Sequence, residues 1–522
     1  MSNTSDILSK LPAEINVSFL RRLDFRSLLV CRKVSKFLRT IVDGTASLQY
    51  IIELGGSGLR EGPLSGASTK ERKAMLDKYN TAWRNLEWTS HTKLTETRGN
   101  EWQLSGGIWG QLDASVEHEN AIYLYRLSSH LRGIEERRWV LQFVLEVYTF
   151  SMDPSQDLLV LIHTHPDHHY RHRCYISLVS LSKGVVHPMA FEAQDPSYHF
   201  MLNTDHAAGI RDARCSVQIC GDHVGLLLAY GEFYILNWRT GVLKLSCLFE
   251  NPISFTFLDS DHVAVVGGDE RDTSSHLARL AIYSLGSDEP QVYKDGVYEA
   301  DGEDPCLCSF LLPSFMDPMF MFDRGIKLSS DSCPAADGDV PFTASHDESL
   351  VVVRFASMAH GRDSFCLFVR SKTLLSHIRE THNTLGREIP WAEWGPRATR
   401  LISYREGQFP RAGSVQGMRY LWSKPVSFAD GDSCVLLWDF YAHWTKTADE
   451  YYPLADQNEE ELGKYGQICY PNGEKQLPYT EHGIALPPDL KAHSITLLLS
   501  EDTIIALKRI NLLDLEVHLL TF

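Results

Sequence analysis

The residues best equipped for chemistry lie in LIHTHPDHHYRHRC, where His163-x-His165-x-Asp167-His168 crowds three imidazoles and a carboxylate into a short stretch. Imidazole and carboxylate are zinc ligands, and two such ions could activate a water for hydrolysis. The flanking segments DLLVLIH and RCYISLVSL read as strands, which makes the His-rich stretch a hairpin tip. A polar surface loop of that kind is expected to hold no stoichiometric metal. Cys306-x-Cys308 and Cys215-x4-Cys220 are the close cysteine pairs, and neither has a second pair at metal-site spacing. The eleven cysteines therefore read as free buried thiols in a reducing compartment. A G-x-S-x-G elbow, a Walker A loop and a dinucleotide fingerprint are all missing from the sequence.

The histidine spacing resembles the metal-binding motif of metallo-β-lactamase-fold hydrolases. That resemblance implies strands alternating with helices, and further His and Asp ligands downstream. Helical signals are rare after residue 101, and His223, at a plausible distance, belongs to a repeated strand element. A metal-dependent hydrolase is therefore kept as the alternative reading, and no catalytic residue, metal or cofactor is assigned.

A different kind of signal opens the chain. Residues 11–54 read LPAEINVSFLRRLDFRSLLVCRKVSKFLRTIVDGTASLQYIIEL. Pro12 suits a first helical turn, and Glu14 sets negative charge near the positive end of that helix. Ile15, Phe19, Leu20 and Leu23 follow at three- and four-residue spacing and share a face. Asp24 and Ser27 punctuate. A second apolar run holds Leu28, Leu29, Cys31 and Val34, a third Leu38, Ile41 and Val42, and Leu48, Ile51 and Ile52 close the segment. Three short helices cannot bury all of these groups between themselves, so the surplus points to a partner surface.

This block resembles an F-box, in the form common among basidiomycete fungi. Leu11, Pro12, Glu14, Ile15, Leu20, Leu23, Leu28, Leu29, Val34 and Ser35 carry the match, with Leu38 where many F-boxes place tryptophan. The resemblance implies that Leu11, Pro12, Glu14, Ile15, Leu20, Leu23, Leu28, Leu29 and Val34 contact a Skp-type adaptor, and through it a cullin–RING ubiquitin ligase. Residues 1–54 carry net charge +3, leaving −20 for everything after them. A basic docking segment suits an acidic partner. The acidic remainder argues against non-specific nucleic-acid binding.

At 522 residues the chain exceeds one compact core. GGSGLREGPLSGAS (55–68) reads as a hinge or surface loop. Ser68-x-x-Glu71 then makes a capping box for a helix over about 69–88, with Met75, Tyr79, Trp83 and Leu86 on one face. From about residue 101, short Val, Ile and aromatic runs alternate with turn residues. One element pairs an acidic turn with an apolar strand and is marked by Asp157, Asp222, Asp261, Asp347, Asp432 and Asp502. Their separations are 65, 39, 86, 85 and 70 residues. A second runs a strand into a tight turn, as in IYLYRLSS (122–129), YISLVSLSKG (175–184), FYILNWRTG (233–241) and LAIYSLGS (280–287). The spacing of 39 is one blade of a β-propeller, and each gap near 85 could hide a degenerate blade, with PCLCSFLL (305–312) and RLISY (400–404) as candidate strands. This resembles a WD-repeat-like propeller, with Trp238 and Trp438-Asp439 in the place of the repeat's Trp-Asp. Paired β-sandwiches would give similar strand statistics. Residues 325–343 and 445–488, including Glu459-Glu460-Glu461, resist the blade pattern.

The expected fold class is therefore mostly β with an N-terminal helical segment. Residues 1–54 form a three-helix adaptor-binding unit, 55–100 a linker and connecting helix, and 101–522 a propeller of about seven blades. Its closing sheet is expected to join strands from Trp102–Leu127 to residues 494–521. The resemblance implies a non-catalytic substrate receptor, cytoplasmic or nuclear, with an unidentified protein target and no membrane or nucleic-acid partner. An F-box scaffold that delivers no target is the remaining alternative.

Overall fold

A computed structural model describes residues 10–522 except 64–65, 95–100, 114–119, 145, 167–171, 192–199, 203–214, 229–230, 249–253, 269–277, 287–296, 299–305, 314–326, 332–339, 346–348, 357–363, 381–385, 405–413, 425–433, 442–468, 471–475, 491–494 and 511–514. Helices α1 (Ala13–Leu20), α2 (Phe25–Val34), α3 (Lys36–Gly44) and α4 (Ala46–Gly56) open the chain. Among the described residues four helices form where three were expected, because Thr45 adopts an extended backbone after Gly44 and splits the last apolar runs. Asp24 caps α2 by accepting from the Ser27 N–H at 2.7 Å, and Ser35 caps α3 through the Leu38 N–H at 3.1 Å. Leu20, Leu28, Leu38, Val42, Leu48 and Ile52 make a small core of their own.

The glycine-rich segment after α4 is packed, which corrects the hinge expected there. A side chain at Gly55 would strike the Phe25 ring, and one at Gly62 would strike the Val340 carbonyl. Gly58 has φ of +68°, with the Tyr441 ring where a Cβ would lie, so only glycine fits. Between them Leu59–Glu61 pairs antiparallel with Phe342–Ala344. Helix α5 (Thr69–Asn85) begins with the expected Ser68/Glu71 capping box. Its inward face is Leu76, Tyr79 and Trp83, with Leu86 just beyond its end, whereas Met75 points to solvent. These residues join Tyr50 and Leu54 of α4 against Leu421, Val435, Leu437 and Phe522. Trp83 stacks on Phe522 with ring centroids 4.0 Å apart and carries the Arg419 guanidinium 4.8 Å from its ring.

Seven sheets of four or five strands follow, antiparallel except for a short parallel fifth strand on the second and fourth, the mark of a propeller. In chain order their inner strands are Glu101–Ser105, Val147–Asp153, Ser216–Cys220, Ser254–Phe257, Lys327–Ser329, Ser414–Gln416 and Ile495–Leu499. Strand-then-turn segments of the sequence are the third strands of the first four blades: Ala121–Arg126, His172–Ser180, Glu232–Asn237 and Ala278–Ser284. One backbone hydrogen bond recurs in every blade. The residue ending the third strand donates its N–H to the carbonyl of the turn after the inner strand. The pairs are Leu127→Gly107, Leu181→Asp157, Trp238→Asp222, Leu285→Asp261, Ser371→Ser349, Phe440→Met418 and Phe522→Asp502, at 2.7–3.1 Å.

That register corrects two sequence expectations. Asp432 lies outside the described residues, and the turn after the inner strand of its blade is Gly417-Met418. The gaps near 85 hide no blade. Cys308–Leu311 and Thr399–Tyr404 are the outer strands of the fourth and fifth blades, and helices α6 (Ser371–Glu380) and α7 (Trp391–Ala398) are inserted before the latter. The first and sixth blades make this turn without an acid, at Gly106-Gly107 and Gly417-Met418. Segments 325–343 and 445–488 also yield strands at their ends, Lys327–Ser329 and Thr480–Ala485. Asp347 and Glu459-Glu460-Glu461 lie outside the described residues.

The ring closes through its last blade, but with a different strand from the one expected. Ser90–Leu94, inside the supposed linker, pairs antiparallel with Leu515–Thr521 from Ser90↔Thr521 to Leu94↔Val517. The Trp102–Leu127 strands instead build the first blade. Period-2 alternation in SHTKL is short and polar, and so gave no strand signal. Beside this seam Arg132, from the first blade, is buried against Asp502, with Nε 2.9 and 3.0 Å from the two carboxylate oxygens. It also pairs with Glu501 and donates to the Phe342 carbonyl at 3.2 Å.

Two outcomes follow from this closure. Removing one partner of a buried ion pair typically costs about 3–5 kcal/mol, so Arg132→Ala should lower unfolding stability by that much in a denaturant titration at neutral pH. Deleting the last eleven residues removes Leu515–Thr521, the strand that joins Ser90–Leu94 to Thr503–Arg509. Hydrogen exchange should then show loss of protection around the whole ring, because an open array would fray only at its terminal blade.

Candidate functional site

Every long apolar side chain left over by the small N-terminal core is a candidate for contact with a partner. On α1 the exposed groups are Ile15 and Phe19, one helical turn apart, with Phe19 59% exposed. On α2 they are Val30 and Val34, again one turn apart, at 60% and 69%. Pro12, Glu14 and Leu23 are exposed as well, while Leu11 and Leu29 are half-buried. Leu20 and Leu28 are not on this surface. They are buried in the internal core, where they hold α1 and α2 against α3 and α4. Phe19 and Val30 were missing from the sequence-assigned set, although the four-residue spacing from Ile15 to Phe19 and from Val30 to Val34 carries the signal. Buried Asn16 fixes the entry to α1 by donating from Nδ2 to the Leu11 carbonyl at 3.2 Å.

Arg21, Arg22, Lys33, Lys36 and Arg39 are all exposed around these stripes. Most of the segment's positive charge therefore stands free for an acidic partner. Arg32 is partly occupied, with Nε 2.7 Å from Asp43. An apolar stripe with a cationic surround matches the make-up of a protein-docking surface, with desolvation supplying affinity and charge supplying encounter rate.

Residues 8–49 match the family model of the F-box domain. An F-box domain therefore opens this chain. F-box domains generally bind Skp-type adaptors, and propellers generally bind protein targets. No curated protein matches this chain by sequence. Among solved structures, the WD40 domain of Toxoplasma gondii coronin is 9% identical, covering 82% of this chain and 85% of that one, with TM-score 0.35. The WD40 domain of fission yeast SCAP is 10% identical, covering 83% and 97%, with TM-score 0.34. BamB from Moraxella catarrhalis is 9% identical, covering 83% and 99%, with TM-score 0.33. The seven-sheet ring itself, rather than these distant likenesses, establishes the architecture.

The His-rich stretch falls where a hairpin tip was expected. Leu158–Pro166 and His172–Ser180 pair antiparallel down to Pro166↔His172. His163 points into the blade, with Nε2 2.9 Å from Ser177 Oγ and its ring stacked on Tyr175 at 5.5 Å. Asp167 and His168 lie outside the described residues. His223 begins the second strand of the next blade, and burial lowers its pKa. The alternating strands and helices that a metallo-β-lactamase-like hydrolase needs are replaced here by antiparallel blades.

A cavity of about 400 Å³ runs between the inner strands, lined by Gln103, Ser151, Gln218, Asp331, Gln416 and Glu501 among others. Asp331 accepts from Gln416 Nε2 at 2.8 Å and from the Gly417 N–H at 3.0 Å. It keeps a rim of solvent through the channel, yet burial pushes its pKa up to about 7. Its folded pKa is raised above the unfolded value of 3.8, so the folded state holds a proton that the unfolded chain has released. Stability from this group is therefore greatest at acidic pH and falls as pH rises from about 4 to about 7. Asp331→Asn should be stabilising by on the order of 1–3 kcal/mol at pH 8 and near neutral at pH 4, as read from paired denaturant titrations.

Proposed function

We propose that this chain is the substrate-recognition subunit of a Skp–cullin–F-box ubiquitin ligase, working in the cytoplasm or nucleus. The observation that carries this reading is the apolar surplus of Ile15, Phe19, Val30 and Val34 on a domain matching the F-box. The propeller would hold the target. The chain would contribute proximity, raising the effective concentration of target lysines beside the ubiquitin-loaded enzyme, and would carry out no chemistry itself. Packed glycines and the shared α4–α5 core support this role, because a receptor must hold its two docking surfaces at a fixed separation.

Docking is tested on exposed residues, since Leu28→Ser would unfold the F-box core instead of probing its surface. Phe19→Asp with Val34→Asp should weaken co-purification of a Skp-type adaptor by roughly thirtyfold or more, while circular dichroism keeps the β signal of the propeller. Undiminished adaptor binding in that double variant would refute the docking surface. The scaffold alternative separates at the next step. A reconstituted ligase containing the intact chain should ubiquitinate proteins captured by its propeller, and a scaffold would capture them unmodified.

A further inference from the structure

The closing seam of the ring carries a cluster that no sequence spacing could reveal. His91 lies on the closing strand Ser90–Leu94, His518 on the last strand Leu515–Thr521, and Asp489 on the short turn Pro488–Leu490 that leads into the last blade. We propose that His91, Asp489 and His518 bind one zinc-class divalent ion that clasps the propeller shut. His91 Nε2 is 3.1 Å from His518 Nδ1, and Asp489 Oδ2 is 3.7 Å from that same nitrogen. All three ligand atoms lie within 4.8 Å of one another. Around a tetrahedral zinc with bonds of about 2.0–2.1 Å, neighbouring ligand atoms stand roughly 3.3 Å apart, a spacing that the 3.1 and 3.7 Å separations around His518 Nδ1 bracket.

The surroundings of His518 add a second, independent observation. Its ring is 2% exposed, and among the described residues its Nε2 has no hydrogen-bond partner. The Glu516 carboxylate stands 3.6 Å from that Nε2, on the far side of the ring from His91 and Asp489. A carboxylate behind a histidine, opposite the ligating nitrogen, is the arrangement that orients imidazoles toward metals. Lys93 and Lys508 already neutralise Glu516, which leaves it as a support for the ring. Exposed His91 and Asp489 provide the entry path and leave room for a water as fourth ligand. Two imidazoles and one carboxylate select a borderline metal such as zinc over magnesium or calcium, which prefer all-oxygen sites.

An ion here would join the closing strand, the entry to the last blade and the final strand, segments as far apart as residues 91 and 518. The test uses the full chain without an affinity tag, stripped with chelator and titrated with zinc chloride. Bound zinc is counted after dialysis, and melting temperature is read in parallel. The expected result is one zinc per chain with a melting temperature raised by roughly 2–4 °C. His91→Ala, at an exposed position, and Asp489→Asn should stay folded and should each weaken zinc binding at least about tenfold and erase the thermal shift. A wild-type chain that binds no zinc overturns the proposal. So does zinc binding that survives both substitutions but is lost in His165→Ala, which would move the ion to the His-rich hairpin.

Discussion

The Arg132 guanidinium is buried where four parts of the chain meet, and their mutual placement depends on it. Taking a guanidinium out of water costs several kcal/mol, and only a complete set of acceptors offsets that. Asp502 supplies both carboxylate oxygens, Glu501 adds a second charge and the Phe342 carbonyl a third direction. Ser129 Oγ donates to Asp502 at 2.9 Å, and the Tyr79 hydroxyl donates to the Glu501 carbonyl at 2.5 Å. Thus one buried charge joins the first blade, the last blade, the strand pairing with Leu59–Glu61 and the helix that carries the F-box. Burial raises the pKa of Glu501 while Arg132 opposes that shift, so the carboxylate and its partner are mutually dependent. A cluster with so many fixed acceptors tolerates one arrangement of those segments.

Coupling of the F-box to the ring is accordingly a matter of packing, not of tethering. Trp83 lies between Phe522 and the Arg419 guanidinium, and Arg419 in turn meets Asp439 at 3.3 Å. Helix α5 therefore rests on residues from the last two blades and touches the end of the strand that closes the ring. Any strain on closure would reach the helix, and any displacement of the helix would expose Phe522, which is fully buried. The exposed apolar stripes on α1 and α2 are then held at one orientation relative to the ring.

What was legible in the sequence follows from range. The F-box was readable because its helices are local: Asp24 and Ser35 cap their own helices, and Ile15 and Phe19 are one turn apart. Which leucines face inward was not readable, since Leu20 and Leu28 differ from Leu23 and Leu29 only by which neighbours cover them. The closing strand SHTKL hid for a related reason. Its alternation is five residues long and includes histidine and lysine, so its strand character comes from pairing with residues more than 420 positions away. Gly55, Gly58 and Gly62 looked like a hinge because glycine marks both flexibility and close approach, and sequence does not show Phe25, Tyr441 or the Val340 carbonyl arriving from elsewhere.

The blade repeat shows why so regular an architecture left so faint a periodic trace. Its recurring contact is an N–H to a main-chain carbonyl, and that bond asks nothing of the acceptor's side chain. Aspartate fills the turn in four blades, yet Gly107, Ser349 and Met418 supply the same carbonyl in the other three. The donor needs only to be buried, and Leu, Trp, Ser and Phe all serve. This contact therefore fixes backbone geometry while leaving residue identity free. Insertions between strands then stretch the spacing, as α6 and α7 do before Thr399–Tyr404.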